Sequence, residues 1–122
     1  MREVNIYNLS KPLGQPLRAG FCESFWCRLR GLTFRKSLPE NWGLLLVQSR
    51  ESRMDASIHM FMMSIDLAVV WINHKEEVVD VRPAYRWRST IVPEKPALYV
   101  LELPLDRLED FHIGDQLRIE EI

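Results

Sequence analysis

The chain has few of the residues from which common functional sites are built. Its 122 residues include two cysteines, three histidines and five glycines. It has no Gly-x-Ser-x-Gly elbow, no glycine-rich phosphate loop and no cysteine paired with a histidine, so the sequence offers no motif for nucleophilic catalysis or nucleotide binding. It has no Cys-x-x-Cys spacing, and His74 and His112 lie in predicted turns, so we expect neither a metal nor a cofactor.

A surplus of one charge and a long apolar run are also missing. Sixteen Lys and Arg side chains face 17 Asp and Glu side chains, which gives a formal net charge of -1. A dedicated nucleic-acid binder needs an excess of basic side chains, so we expect no nucleic-acid partner. The longest apolar run is interrupted by His59 and Asp66 and is shorter than the roughly 20 residues of a spanning helix. The N-terminus has no apolar segment typical of a signal peptide, and we expect a cytoplasmic protein with no membrane partner.

The two cysteines, Cys22 and Cys27, are five residues apart. On one helix this spacing places their side chains about 140° apart around the axis, so we expect no disulfide between them. Two free thiols suit a reducing compartment, which agrees with the expected cytoplasmic location.

Apolar residues make up 47% of the chain, enough for the packed core of a single domain, 1–122. Alternating or uniformly apolar segments predict about six strands, at residues 2–7, 44–48, 57–73, 77–81, 98–103 and 116–120. In the fourth of these strands we expect Asp80 to face solvent. A helix is predicted over 24–30, between a Ser24 cap and Gly31, and a helical turn or two over 105–111. The fold class is therefore mainly β, a compact β-sandwich or barrel with one or two short helices.

Three stretches resemble one family in their order and spacing. They are Arg28-Leu29-Arg30-Gly31-Leu32-Thr33-Phe34, then Ile58-His59-Met60-Phe61-Met62-Met63-Ser64-Ile65-Asp66, and last Ala97-Leu98-Tyr99-Val100-Leu101-Glu102-Leu103-Pro104 with Ile113-Gly114-Asp115. Over about residues 16–119 the chain is similar to the uncharacterised prokaryotic family called domain of unknown function 192. The resemblance implies a compact, mainly β fold of sandwich or jelly-roll type, and it implies no reaction, cofactor or partner.

Two ionisable residues inside the apolar segment 57–73, His59 and Asp66, are the candidate acid–base groups. A polar group in such a segment needs a hydrogen-bond partner or a task. Asp66 either caps a turn or pairs with an arginine such as Arg30, or it acts as a pocket acid. His59 is either a satisfied, half-buried histidine or a ligand or general base. The two side chains lie on opposite faces of an unbroken strand, so they converge only if the strand bends between them.

A second group of candidates is basic and aromatic. Its members are Arg28 and Arg30 in the last turn of the predicted helix, then Arg82, Tyr85, Arg86, Trp87 and Arg88. Either the arginines are solvated surface groups, or they form an anion-binding face on which the two aromatic rings stack against a planar ligand.

These residues support three functional hypotheses. The one we favour is a small non-enzymatic binding or accessory domain that presents Arg30, His59, Asp66 and the Arg86-Trp87 loop to a small anionic ligand or a protein partner. The second is a hydrolytic type of enzyme in which Asp66 or His59 is the general acid or base. The third is a purely structural or interaction protein, in which the motifs specify only the fold.

Overall fold

The computed structural model describes residues 1–60, 62–87 and 90–122. The strands in these ranges are β1 (Glu3–Asn8), β2 (Leu17–Cys22), β3 (Trp42–Ser52), β4 (Leu67–Ile72), β5 (Val78–Ala84), β6 (Ala97–Pro104) and β7 (Leu117–Glu121). Helix α1 spans Phe25–Arg30 and a 3-10 helix spans Leu105–Asp110. The prediction of a mainly β fold with one or two short helices is confirmed. Within the same ranges no helix is long and apolar enough to cross a membrane.

The strands form one sheet in the order β5-β4-β6-β3-β2-β1-β7, so β5 and β7 are its edges. An isolated bridge from Glu77 to Gln116 joins the two ends, but the sheet is not closed into a barrel. Strands β2 and β3 run parallel, whereas the other neighbours run antiparallel. Parallel neighbours require a crossover connection, and this one contains α1. The crossover therefore carries the predicted helix onto one face of the sheet.

The buried apolar residues form two clusters, one on each face of the sheet, and strand β4 contributes to both. Its side chains are all 0% exposed and alternate between the two faces, with Leu67, Val69 and Trp71 on one and Ala68, Val70 and Ile72 on the other. A uniformly apolar strand is expected when both faces of a sheet are covered. The first face is covered by the crossover, which contributes Leu32, and by the segment before β4, which contributes Ile58, Met60 and Met63.

Only the second part of the predicted strand 57–73 is a strand. Its first part contains an isolated bridge from Ile58 to Ile91 and then turns, because the carbonyl of Met60 accepts hydrogen bonds from the amides of Met63 and Trp87. These two hydrogen bonds form a turn in place of a ladder of hydrogen bonds to a neighbouring strand. Phe61, within this segment, lies outside the described residues. The prediction of one continuous strand is therefore wrong, and His59 and Asp66 do not share a strand.

The prediction that Asp80 faces solvent is also wrong. The residue is 3% exposed, and its carboxylate accepts hydrogen bonds from the amides of Val81 and Glu94. It also accepts two hydrogen bonds, at 3.0 and 2.7 Å, from the guanidinium of Arg82. These hydrogen bonds offset the free-energy cost of burying a carboxylate, which otherwise keeps aspartate at the protein surface.

Cys22 and Cys27 form a disulfide, so the prediction of two free thiols is wrong. Cys22 ends strand β2 rather than lying on the helix, and the chain turns before α1, which brings the two Cα atoms to 5.6 Å. The six residues of α1 all stay partly or fully exposed, and a helix of this length is not stable by itself. The disulfide therefore helps to hold α1 on the sheet. Disulfides are rare in reducing compartments, so the two cysteines do not support a cytoplasmic location.

Candidate functional site

A small pocket lies between α1, the segment that precedes β4, and strand β6. Its volume is about 100 Å³. The lining consists of residues 28–33, residues 57–59 with Met63, Val100 with Glu102, and the side chains Leu46, Gln48 and Asp55. Each of the three family-like stretches of the sequence contributes to this lining. We call this site the Glu102 pocket.

Glu102 is the buried acid of the pocket. Its direct cross-strand neighbours are Leu44 on β3 and Val69 on β4, so both residues beside it in the sheet are apolar. The residue is 6% exposed, and within the described part of the chain its Oε1 atom has no hydrogen-bond partner. Burial raises the pKa of the Glu102 carboxyl from its ordinary value of 4.5 to about 7. At neutral pH this carboxyl can therefore be either protonated or ionised.

Gly31 leaves space open beside Glu102. Its φ of 51° and ψ of -131° form a conformation that a residue with a side chain rarely adopts. A Cβ atom at this position would lie 3.8 Å from Oε1 of Glu102 and 3.9 Å from the carbonyl oxygen of Arg28. The glycine that ends α1 therefore leaves the space beside these two oxygens unfilled.

The two arginines of α1 have different surroundings. Arg28 is half-buried and donates from Nη1 to the carbonyl oxygen of Val47 at 2.8 Å, which fastens α1 to β3. Arg30 is exposed, and none of its described neighbours provides it with a carboxylate. Arg30 therefore supplies a cation to the solvent-facing side of the pocket that is available to a ligand.

The two predicted acid–base residues lie in different places. His59 is exposed and lines the Glu102 pocket. Asp66 is not among the lining residues, and its Oδ1 accepts a hydrogen bond from the backbone amide of Arg86 at 2.9 Å and lies 3.7 Å from Nε of the same residue. Asp66 thus has an arginine partner, and that partner is Arg86 rather than Arg30.

The remaining predicted binding residues that the structure describes are not part of the pocket lining. Arg86 also donates to the carbonyl oxygen of Ser64 at 3.2 Å, and the side chain of Trp87 is 62% exposed. Arg82 is paired with Asp80, and Arg88 lies outside the described residues. The structure therefore brings Arg28, Arg30 and His59 together at one pocket, and it places the Arg86-Trp87 loop elsewhere.

Glu102 is not among the candidate residues predicted from the sequence. Its signal was a charged residue inside the otherwise apolar segment 98–103.

The described residues contain no group of three or more His, Cys, Asp and Glu side chains that could hold a metal ion.

We expect Asp66→Ala to lower the free energy of unfolding by about 1 kcal/mol, because Asp66 accepts a backbone hydrogen bond and pairs with a partly exposed arginine. We expect His59→Ala, which removes an exposed side chain, to change the same quantity by less than about 0.5 kcal/mol. Urea denaturation of both variants beside the wild type measures the difference. A neutral Asp66→Ala would contradict a structural role for the Asp66–Arg86 pair.

The chain matches known proteins over most of its length. The model of the family DUF192, described as "Uncharacterized ACR", matches residues 8–119. UPF0127 protein TK1120 of Thermococcus kodakarensis is 36% identical over 110 residues, which cover 90% of this chain and 68% of that protein. UPF0127 protein PF1050 of Pyrococcus furiosus is 33% identical over 114 residues, 92% and 95% of the two chains. Against two other Thermococcus relatives the chain spans less than two thirds of their length, 64% and 60%.

Two solved structures have the same fold. One, from Sinorhizobium meliloti 1021 and described as a "putative transcription regulator", gives a TM-score of 0.84 over 97% of this chain and 92% of that chain, with 19% identity. The other, from Novosphingobium aromaticivorans DSM 12444 and described as a protein of unknown function, gives a TM-score of 0.79 over 95% and 83% of the two chains, with 20% identity. At such low identity the likeness establishes the fold alone.

Proposed function

Since the chain belongs to the uncharacterised DUF192 family, we propose its function from the geometry of its own pocket: it is a non-enzymatic binding domain for a small anionic ligand. The observation that supports this proposal most directly is Oε1 of Glu102, an atom without a hydrogen-bond partner among the described residues, on a side chain that lines a cavity. A buried polar atom left without a partner costs about 1–3 kcal/mol. An anionic ligand recovers part of this free energy when it accepts a hydrogen bond from the protonated Glu102 carboxyl, whose pKa burial raises to about 7.

Arg30 and His59 support the anionic character of the ligand. Both residues are exposed and line the pocket. A guanidinium group binds a carboxylate or a phosphate through two parallel hydrogen bonds. Arg28, which is fastened to the carbonyl oxygen of Val47, keeps α1 in place beside the ligand.

The size of the pocket restricts the ligand. Pockets for drug-sized molecules measure about 300–1,000 Å³, whereas the Glu102 pocket measures about 100 Å³. The ligand is therefore a molecule of a few heavy atoms, or one end of a larger molecule. A larger molecule would continue along the adjoining surface of Phe25 and Ser49, which shares Arg28, Leu29, Gln48 and Asp55 with the pocket.

We expect small carboxylates such as propionate to shift the amide resonances of Gly31 and Glu102 in two-dimensional NMR spectra. Arg30→Ala weakens this binding about tenfold, which corresponds to about 1.4 kcal/mol. Arg118→Ala, which changes an arginine on β7 that is not among the lining residues, is the matched control and leaves binding unchanged. Equal affinities of Arg30→Ala and wild type, or no shift with any small anion at about 10 mM, would argue against the proposal.

A second candidate function is acid–base catalysis, with Glu102 in the role that the sequence assigned to Asp66 or His59. The observation that favours it is the pKa of Glu102, which burial raises to about 7, because a carboxyl of this kind can give and take a proton at neutral pH. Hydrolytic screens of wild type and Glu102→Gln test this function. A hydrolytic activity that Glu102→Gln lacks would favour the enzyme over the binding domain.

The remaining expectations stay proposals. A protein partner is the alternative to a small ligand, and the balanced charge of -1 supports the proposal that the chain has no nucleic-acid partner. We also propose a cytoplasmic location without a membrane partner, although the Cys22–Cys27 disulfide is unusual in a reducing compartment. Cell fractionation and gel-shift titration with duplex DNA test these points. Recovery with membranes or a salt-sensitive gel shift would contradict them.

A further inference from the structure

We propose that the ligand of the Glu102 pocket is a small zwitterion, such as an amino acid, with its ammonium group beside Glu102 and its carboxylate beside Arg30. This inference rests on the proposed function and narrows the ligand class. The inner part of the pocket offers hydrogen-bond acceptors, and its exposed side offers cations. A molecule with the opposite polarity at its two ends is complementary to this arrangement.

The inner end of the pocket favours an ammonium group. An atom placed where a side chain of residue 31 would begin lies 3.8 Å from Oε1 of Glu102 and 3.9 Å from the carbonyl oxygen of Arg28. That point is too close to the Cα atom of Gly31 for a ligand atom, but it shows that no side chain fills the space beside these two oxygens. An ammonium group, which carries three N–H donors and no acceptor, is the complementary partner for such acceptors. No described side chain donates to Oε1. The charge-assisted bond to a carboxylate is also stronger than a bond between neutral groups.

The second acid of the lining does not compete for the ammonium group. Asp55 accepts a hydrogen bond from Nε of Arg50 at 2.8 Å, so its charge already has a partner. Glu102 is buried among apolar residues and has no such partner within the described ranges. The ligand's cation therefore gains more from Glu102 than from Asp55.

The exposed side of the pocket favours a carboxylate. Arg30 lines the pocket, is exposed and has no carboxylate among its described neighbours. His59 lines the same pocket and is exposed as well. Arg30 directly precedes Gly31 in the chain, and both residues line the same pocket of about 100 Å³. This arrangement suits a molecule whose two charges are only a few bonds apart.

The charged groups around Glu102 determine the pH dependence of binding. They are Arg28 and Arg30 from α1, Asp55 and His59 from the segment before β4, and Arg82, which lies in the same cross-strand row and is paired with Asp80. Binding of an ammonium group requires ionised Glu102, so affinity increases as the pH rises through about 7, the pKa of this buried carboxyl. An inner carboxylate would require protonated Glu102, and its affinity would fall over the same range.

Calorimetric titration with three related probes tests the inference. The probes are β-alanine, butyrate, in which a methyl replaces the ammonium group, and propylamine, in which a methyl replaces the carboxylate. We expect β-alanine to bind at least about tenfold more tightly than either analogue. Its affinity should rise about tenfold between about pH 6 and about pH 8 as Glu102, with its pKa of about 7, ionises. Glu102→Gln should lose this rise.

Two controls separate Glu102 from its surroundings. A histidine can change charge in the same pH range, so the series is repeated with His59→Gln, which should retain the rise in affinity. Glu109→Gln, at a side chain that is 87% exposed, is the matched control for the loss of one glutamate and should bind like wild type.

Each other outcome has a definite meaning. Butyrate binding as tightly as β-alanine, and more weakly at higher pH, would overturn the inference and leave the proposed anion-binding function standing. Propylamine binding as tightly as β-alanine would overturn the inference because the carboxylate would then play no part. Binding of none of the three probes would overturn both the inference and the proposed function.

Discussion

Replacement of Glu102 by glutamine should stabilise the protein relative to wild type by about 3 kcal/mol more above pH 7 than below pH 4.5. The pKa of this carboxyl is 4.5 in an exposed setting and about 7 in the folded protein, because burial penalises the charged form. A shift of one pKa unit corresponds to about 1.4 kcal/mol. The amide of glutamine has nearly the same size and does not titrate in this range.

The sign of the effect follows from proton binding. Between pH 4.5 and about 7 the folded protein holds a proton on Glu102 that the unfolded chain has released. The stability contributed by this carboxyl is therefore fully present below pH 4.5 and is lost as the pH rises through about 7. Above that value the wild type carries a buried charge, whereas Glu102→Gln does not.

Urea denaturation of both proteins across this pH range measures the difference. Glu109→Gln, which changes an exposed glutamate, controls for the loss of a titrating group and should follow the wild type. Parallel curves for wild type and Glu102→Gln would mean that the carboxyl is not desolvated in the folded protein. The premise of a buried, unpartnered acid in the pocket would then fail.

Asp80→Ala should lower the free energy of unfolding by about 3 kcal/mol, because it removes a buried acceptor and leaves a partly buried cation without its partner. The carboxylate accepts hydrogen bonds from the amides of Val81 and Glu94 and from two guanidinium nitrogens of Arg82. Arg82 also donates to the carbonyl oxygen of Val92 and lies over the ring of Trp71. When Arg82 loses its carboxylate partner, these two contacts are affected as well.

Thermal and urea unfolding of two variants separate the causes. Asp80→Asn keeps the shape and one acceptor oxygen but removes the charge, and we expect about half the loss of Asp80→Ala. Asp106→Ala, at an exposed residue of the 3-10 helix, is the matched control with a change below about 0.5 kcal/mol. An Asp80→Ala variant as stable as this control would show that the cluster around Arg82 contributes little to folding.

Local patterns predicted most of the regular structure. The alternation of polar and apolar residues predicted β1. Ser24 and Gly31 marked the two ends of α1, and the uniformly apolar residues of β4 indicated a strand covered on both faces. Strand β2 was missed because Leu17–Cys22 alternates poorly and contains Gly20, a residue that weakens strand propensity. The disulfide was missed because spacing alone cannot show that the chain turns between the two cysteines.

The candidate site was predicted in part. Arg28, Arg30 and His59 do line one pocket, since a helix end and an irregular segment meet over the same face of the sheet. The proposed role of Glu102 depends on what is missing around it, namely a donor for its buried oxygen among the described residues. Sequence shows that an acid lies in an apolar strand, but only the packing of distant elements shows whether it has a partner.

The edges of the sheet restrict how another protein can bind. At β5 the amide of Val81 donates to the side chain of Asp80, and Pro83 has no amide hydrogen to offer. At β7 the amides of Leu117 and Ile119 donate to the backbone oxygen and to the carboxylate of Glu76, at 2.8 and 2.6 Å. An incoming extended peptide would find these backbone donors already used, so recognition by strand addition is disfavoured at both edges. A protein partner therefore has to bind through contacts with the side chains of this domain rather than by adding a strand to its sheet.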